Sequence, residues 1–323
     1  MILAGDIGGT KTVLAICDAQ LAIVREATFP SAEHGSLEDI VGAFVQPSER
    51  GDLTAACFGV AGPVVDRAAK ITNLPWTIEA QALSTQLSGI PVTLLNDLQA
   101  TALGVLVLPP SAFAVLQPGV TPDGATIAVI APGTGLGVAL LVSVDGTYRA
   151  LPSEGGHADF APGSDDEIAL WRYLRGVHGP HVSVERVLSG AGLGDLYDFV
   201  RQATGAAEPA WPAGDRNAAI SHAALEGRDA TAVRALEMFV EILGGEAGNH
   251  ALRGFATGGV VLGGGIPPKI LTALQHPRFL ARFSAKGRFA TWARSLPVRV
   301  TLEPRAALFG AAHHAATHKD ARP

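Results

Sequence analysis

The sequence predicts an α/β protein built from two similar domains, and three observations carry that expectation. Short β-branched runs are interspersed with stretches of helical periodicity. A turn of glycine and threonine between two apolar runs occurs once in each half, as GDIGGTKTVLAI near the start and as APGTGLGVALLV at 131–142. The chain has 323 residues and is 48% hydrophobic, enough for two cores.

The first element is a hairpin, because ILAGDIGG and TKTVLAIC are strand-like runs around a glycine turn. Further strands are expected at 55–60, 92–95, 127–130, 138–142, 260–262 and 298–302, all short and rich in β-branched residues. Leu193, Leu196, Tyr197 and Val200 fall at i, i+3, i+4 and i+7, as do Leu236, Phe239, Val240 and Leu243, which predicts two amphipathic helices. The uncharged stretch Gly124–Val144 is split by Pro132 and by glycines 133, 135 and 137, so it reads as a buried hairpin rather than a membrane span. A break at Pro109-Pro110 separates a small α/β domain, 1–109, from a larger one, 110–302. The alanine-rich end is expected as a helix, 303–318, packing back on the small domain.

Charged residues make up only 17% of the chain, the net charge is −6, and no dense run of Lys and Arg provides the footprint that a phosphate backbone requires. Nucleic acid and membrane are therefore disfavoured as partners. Cys17 and Cys57 sit inside apolar runs, which suits small buried hydrophobes in a reducing, cytoplasmic compartment. Asp6 follows Met1 too closely for a secretory signal to fit between them.

Residues 5–12, GDIGGTKT, nearly spell a P-loop, but Thr10 stands where its second glycine belongs and a strand follows where a helix is needed. GTGLG at 133–137 likewise lacks the spacing and the following helix of a dinucleotide fingerprint. What Gly8, Gly9 and Thr10, and again Gly133, Thr134 and Gly135, can do is present N–H groups and a hydroxyl to phosphate oxygens. Glycine there would allow positive φ and leave no Cβ in the way. Asp6 is placed to hold a hydrated magnesium ion. Lys11 is either a phosphate contact or a solvated hairpin lysine.

Together with TNLPW at 72–76, LLNDLQA at 94–100, LPSEGGHADFAP at 151–162, SVERVLSGAGL at 183–193, GGVVLGGGI at 258–266 and KGRF at 286–289, the two turns make the chain resemble the bacterial glucokinase family. That family lies within the hexokinase, actin and heat-shock chaperone group of ATPases. The resemblance implies two ribonuclease H-like domains with ATP, Mg2+ and glucose in the cleft between them, closure on glucose, and a homodimer. It implies that Asn96 and Asp97 hold the 3-, 4- and 6-hydroxyls, Glu154 and His157 the 2- and 3-hydroxyls, and Glu185 the anomeric side. Gly263, Gly264 and Gly265 would line the adenosine, and Asp97 would be the general base.

Asp97 also has a case of its own: it ends an apolar strand and opens an expected helix, whose N–H groups and dipole favour the ionised carboxylate. The alternative is an Asn-Asp pair that only caps the helix. Glu154 and His157 flank glycines that would clear space for a ligand, or belong to an exposed loop. Glu185 precedes Arg186, which locally reads as a surface charge pair. His314 and His318 have metal-ligand spacing, yet no third ligand is in view. Competing functions are a kinase for mannose or fructose and a non-catalytic sugar-binding regulator, although a regulator would need an added helix-turn-helix.

Overall fold

The computed structural model describes residues 1–71, 74–212 and 214–318. Thr72 and Asn73 of the TNLPW motif lie outside the described residues. The chain divides into two compact units: unit 1 is Met1–Ala112, Tyr148–Pro152 and the residues from Glu303 on, and unit 2 is Phe113–Thr147 and Ser153–Leu302.

Unit 1 opens with strands β1 (Ile2–Ile7), β2 (Lys11–Cys17) and β3 (Ile23–Pro30), helix α1 (Leu37–Phe44) and strand β4 (Ala55–Val60). Strands β5 (Val64–Val65), β6 (Ala68–Lys70) and β7 (Thr77–Glu79) form a small sheet, and α2 (Ala80–Gln86), β8 (Val92–Asn96) and α3 (Asp97–Val105) follow. The main sheet runs β3-β2-β1-β4-β8. Strand β4, AACFGV, is buried along its whole length, as a central parallel strand must be. The Ser36 hydroxyl caps α1 by accepting the Asp39 N–H. Leu37, Ile40, Val41 and Phe44 of that helix then bury against Leu3, Leu14 and Phe58.

Strand β3 was not among the expected strands, because IVREATFP carries Arg25 and Glu26. It is an edge strand whose exposure alternates residue by residue. The Arg25 guanidinium lies over the Phe44 ring, 4.1 Å from its centroid, and donates to the Phe44 carbonyl, so the charge is spread over the core's rim rather than buried in it.

The chain continues with β9 (Phe113–Gln117), β10 (Ile127–Pro132), β11 (Leu136–Val144) and β12 (Thr147–Ser153), most of which belongs to unit 1. Unit 2 adds α4 (Asp165–His178), α5 (Gly190–Thr204), α6 (Arg216–Leu225), α7 (Ala230–Arg253), β13 (Val260–Leu262), α8 (Leu271–Leu274), α9 (Pro277–Ser284), α10 (Ala290–Ser295) and β14 (Val298–Thr301). Both predicted helical stripes, on α5 and α7, are buried in its core. In its sheet β11 is antiparallel to β10, while β10-β13 and β13-β14 are parallel. Unit 1 has the same plan: β2 is antiparallel to β1, while β1-β4 and β4-β8 are parallel. The two glycine-threonine turns of the sequence are thus equivalent corners of a repeated topology.

The last helix, α11 (Ala306–Thr317), lies on α3 within unit 1. A Cβ on Gly104 of α3 would overlap the Ala306 carbonyl, and one on Gly310 of α11 would overlap the Ala100 carbonyl. Glycine at both positions lets the helix backbones touch. Among the described residues no helix is long and apolar enough to cross a membrane.

Candidate active site

In unit 1, Ile7, Val60 and Asn96 form one row across β1, β4 and β8, and Asp6, Gly59 and Leu95 form the row before it. These are the C-terminal ends of parallel strands, where open α/β sheets take their ligands. A Cβ on Gly59 would lie 2.8 Å from the Ala100 Cβ and 3.8 Å from the Asp97 Cα, so glycine here lets the start of α3 settle onto the sheet.

The turn after β1 is closed by the Gly8 N–H donating to the Lys11 carbonyl at 3.0 Å. Thr10 and Lys11 are exposed. Gly8, Gly133 and Gly135 do not use the positive φ expected of them. They serve close approach instead: a Cβ on Gly8 would lie 3.2 Å from the Lys11 carbonyl oxygen, and one on Gly135 would strike the Glu185 carboxylate. Of the candidate-site glycines, Gly264, at φ 80°, is the left-handed one.

Asn96 and Asp97 divide the work that the sequence left ambiguous. Asn96 is the helix cap, its Oδ1 accepting the Leu98 N–H at 3.0 Å while Gln99 Oε1 accepts the Asn96 N–H at 3.2 Å. Its Nδ2 donates to the Gly62 carbonyl at 3.1 Å. Asp97 is the first residue inside the helix and its Oδ1 accepts the Leu98 N–H at 2.8 Å. A carboxylate at this position is favoured by the helix dipole.

Asp6 faces the same corner. Burial, reinforced by the negative charge of Asp97 and opposed by Lys11, pushes its carboxyl up to about 6. Two carboxyl groups beside the Gly8–Lys11 turn are a donor set that fits a hydrated magnesium ion, which is usually held by one or two carboxylates plus phosphate oxygens.

In unit 2 the Gly133 N–H donates to the Gly135 carbonyl at 2.8 Å, and the Gly190 N–H, at the start of α5, donates to the Gly133 carbonyl at 2.9 Å. The Gly263 N–H reaches the Ile130 carbonyl at 2.8 Å, and a Cβ on Gly264 would lie 2.6 Å from the Pro132 carbonyl oxygen. The turn of Gly133, Thr134 and Gly135 and the loop of Gly263, Gly264 and Gly265 therefore share one corner.

Glu185 is not a surface partner for Arg186: its Oε2 accepts the Leu136 N–H at 2.8 Å, directly after the turn. The His157 ring lies 3.9 Å from Glu185 on one side and 3.9 Å from Glu154 on the other. Glu154 is 77% exposed and Glu185 31%, so the first is open to a ligand and the second is half committed to the backbone. The glycines of EGGH do not clear ligand space as expected. A Cβ on Gly155 would lie 2.7 Å from the Val138 side chain and one on Gly156 would overlap the Leu136 carbonyl, so they let the loop lie on β11.

Within unit 1 the fold thus gathers Asp6, Gly8, Gly9, Thr10, Lys11, Asn96 and Asp97. Within unit 2 it gathers Gly133, Thr134, Gly135, Gly263, Gly264, Gly265, Glu154, His157 and Glu185. Sequence reading missed Gln99, although Asn96 and Gln99 have the spacing of a capping box. It also missed Ser31, which carries no local signal and whose hydroxyl donates to the Gly8 carbonyl of the first turn at 2.8 Å. Lys286 of KGRF turns inward, donating to the Gly245 carbonyl and to Asn249 Oδ1 at 2.7 Å each. His314 and His318 stack with ring centroids 4.1 Å apart, and burial, helped by His318 and His313, holds His314 down at about 4. Among the described residues no group of three His, Cys, Asp or Glu side chains is arranged to hold a metal ion.

The glucokinase family model matches residues 3–318. A glucokinase of Nostoc punctiforme is 39% identical over 334 residues, covering 97% of this chain and 98% of the relative. The solved structure of glucokinase from an Antarctic psychrotroph, 34% identical, matches with a TM-score of 0.87 over 98% of each chain. A ROK family glucokinase from Streptomyces griseus, solved with glucose and AMPPNP, is 22% identical and shares the fold with a TM-score of 0.65, covering 98% of this chain and 99% of that one.

Proposed function

The chain belongs to the glucokinase family, and we propose that it transfers the γ-phosphoryl group of ATP to the 6-hydroxyl of glucose, with Asp97 as general base. The end-to-end family match over residues 3–318 carries this reading. The repeated α/β plan with a glycine-threonine turn in each unit supports it.

In this reading Asp97 accepts the proton of the 6-hydroxyl as that oxygen bonds to the γ-phosphorus and the bond to ADP breaks. Its place inside α3, one residue past the cap, favours the ionised form needed for that step. Asn96 and Asp97 take the 3-, 4- and 6-hydroxyls, Glu154 and His157 the 2- and 3-hydroxyls, and Glu185 the anomeric side. Carboxylates, an amide and an imidazole suit a sugar because each hydroxyl both donates and accepts. Gly8 to Lys11 and Gly133 to Gly135 grip the phosphates, and Gly263 to Gly265 line the adenosine. Asp6 would hold magnesium, which when bound balances charge on the phosphate oxygens.

Two reduced, buried thiols, Cys17 and Cys57, suit a cytoplasmic enzyme feeding glycolysis. A homodimer goes with the same reading, and sedimentation velocity measures it. The deciding experiment is a coupled assay with ATP, magnesium and a panel of hexoses. Glucose 6-phosphate should be the main product, whereas sugar binding with no transfer to any hexose would overturn the reading in favour of a regulator.

A further inference from the structure

Ser31 follows β3 immediately, is completely buried and polar, and lies far in sequence from the turn after β1. Its hydroxyl donates to the Gly8 carbonyl at 2.8 Å, its backbone N–H donates to the Thr10 carbonyl at 3.1 Å, and its Oγ lies 3.0 Å from Thr12 Oγ1. A serine hydroxyl has one proton, and a carbonyl can only accept. The Ser31 proton is therefore committed to Gly8, and Thr12 is the donor in the Thr12–Ser31 pair. The result is a directed relay from Thr12 through Ser31 to the Gly8 carbonyl, sealed from solvent since Thr12 is also fully buried.

The relay decides which way the turn points its dipoles. The Gly8, Thr10 and Lys11 carbonyls are all engaged from within, by Ser31 Oγ, Ser31 N–H and Gly8 N–H respectively. Among the described residues no hydrogen bond engages the N–H groups of Gly9 and Thr10. A turn with its carbonyls tied inward and N–H groups left over is an anion-binding concavity. We propose that Ser31, fed by Thr12, is a positioning residue for phosphoryl transfer: it fixes the polarity of the Gly8–Lys11 turn so that N–H groups rather than carbonyls meet the phosphates of ATP. This rests on the reading of that turn as a phosphate grip.

The test is titration calorimetry of wild type, S31A and T12V, each verified as folded by circular dichroism, with ATP, adenosine and glucose as separate probes. S31A leaves the half-buried Gly8 carbonyl without the Ser31 hydroxyl, so its Kd for ATP should rise roughly fivefold or more. Its Kd for adenosine and for glucose should stay within about twofold, because neither touches the turn through phosphate. T12V keeps the side-chain shape and removes only the relay's donor, so a smaller loss confined to ATP, roughly threefold and outside the twofold band of the other probes, is expected. T12V decides the matter if S31A does not fold. ATP affinity unchanged in the folded variants, or lost equally for all three probes, overturns the role of Ser31 alone. A wild type that binds glucose but no ATP overturns the phosphate reading and the Ser31 role with it.

Discussion

Glu185 Oε2 accepts the Leu136 N–H at 2.8 Å, tying a sugar-side carboxylate to the first residue after the Gly133–Gly135 turn. In the proposed reading one side chain therefore serves two ligands. E185Q keeps the shape but weakens a charge-assisted bond worth about 1.5–3 kcal/mol, so glucose and ATP affinity should both fall. Calorimetry with each ligand separately checks this. A loss confined to glucose would mean that the turn does not depend on Glu185.

Glu154 gives the contrasting case, since its carboxylate is mostly exposed and, among the described residues, accepts no hydrogen bond from the backbone of either glycine-threonine turn. E154Q should weaken glucose by roughly tenfold and leave ATP binding within about twofold. Equal losses would contradict its assignment to the sugar.

Asp97→Asn retains size and one acceptor but loses the charge and the proton acceptor. A roughly hundredfold or larger fall in kcat is expected, with a much smaller rise in the glucose Kd. The measurements are a coupled assay and direct glucose titration on folded protein. Turnover within a few-fold of wild type would assign Asp97 to helix structure alone.

Asp6 ties stability to pH. Its folded carboxyl is raised from 3.8 to about 6, so the native state holds the proton more tightly than the unfolded chain does. The stability from that proton is fully present below about pH 3.8 and is lost as pH rises through about 6. Two pKa units correspond to about 3 kcal/mol. Without magnesium, D6N should therefore be more stable than wild type at pH 7.5 by up to about 3 kcal/mol, with the gap closing toward pH 4. Urea unfolding at several pH values reads this directly, and a gap independent of pH would refute it.

The crossing of α3 and α11 makes a prediction about packing. Gly310→Ala places a methyl on the Ala100 carbonyl, so the helices must move apart at a cost of about 1–3 kcal/mol. Because α3 begins at Asp97, kcat should fall more than ATP affinity. Thermal melts with kinetics test both, and a variant with normal Tm and normal kcat would show that the contact is unimportant.

Much of the fold was legible because its strongest signals are local. Ala55–Val60 and Val260–Leu262 are short apolar runs that the structure makes into strands with the same bounds, and the stripes on α5 and α7 lie inward. Edge strand β3 was hidden by Arg25 and Glu26, whose charges are tolerated only because a sheet edge leaves them a way out to solvent. At the candidate site, residue types and their order were readable, whereas the reason for each glycine was not. Gly135, Gly155 and Gly156 answer to Glu185, Val138 and Leu136, contacts that exist only once distant segments have met. Ser31 was invisible for the same reason, since its partners Gly8 and Thr12 lie about twenty residues earlier and reach it only once β2 and β3 have paired.

Helix α11 closes unit 1 with residues that follow those of unit 2 along the chain. Until they emerge, Ala100 and Gly104 of α3 lack their backbone contacts with Gly310 and Ala306, while most of unit 2 is already synthesised. Unit 1 is therefore completed by a segment made after unit 2, and the helix that begins at Asp97 gains its α11 contacts only then. A nascent chain stalled before Ala306 would carry the residues of the Gly133–Gly135 corner in unit 2 and an uncovered flank on α3, the kind of transiently exposed surface that makes incomplete chains prone to aggregate.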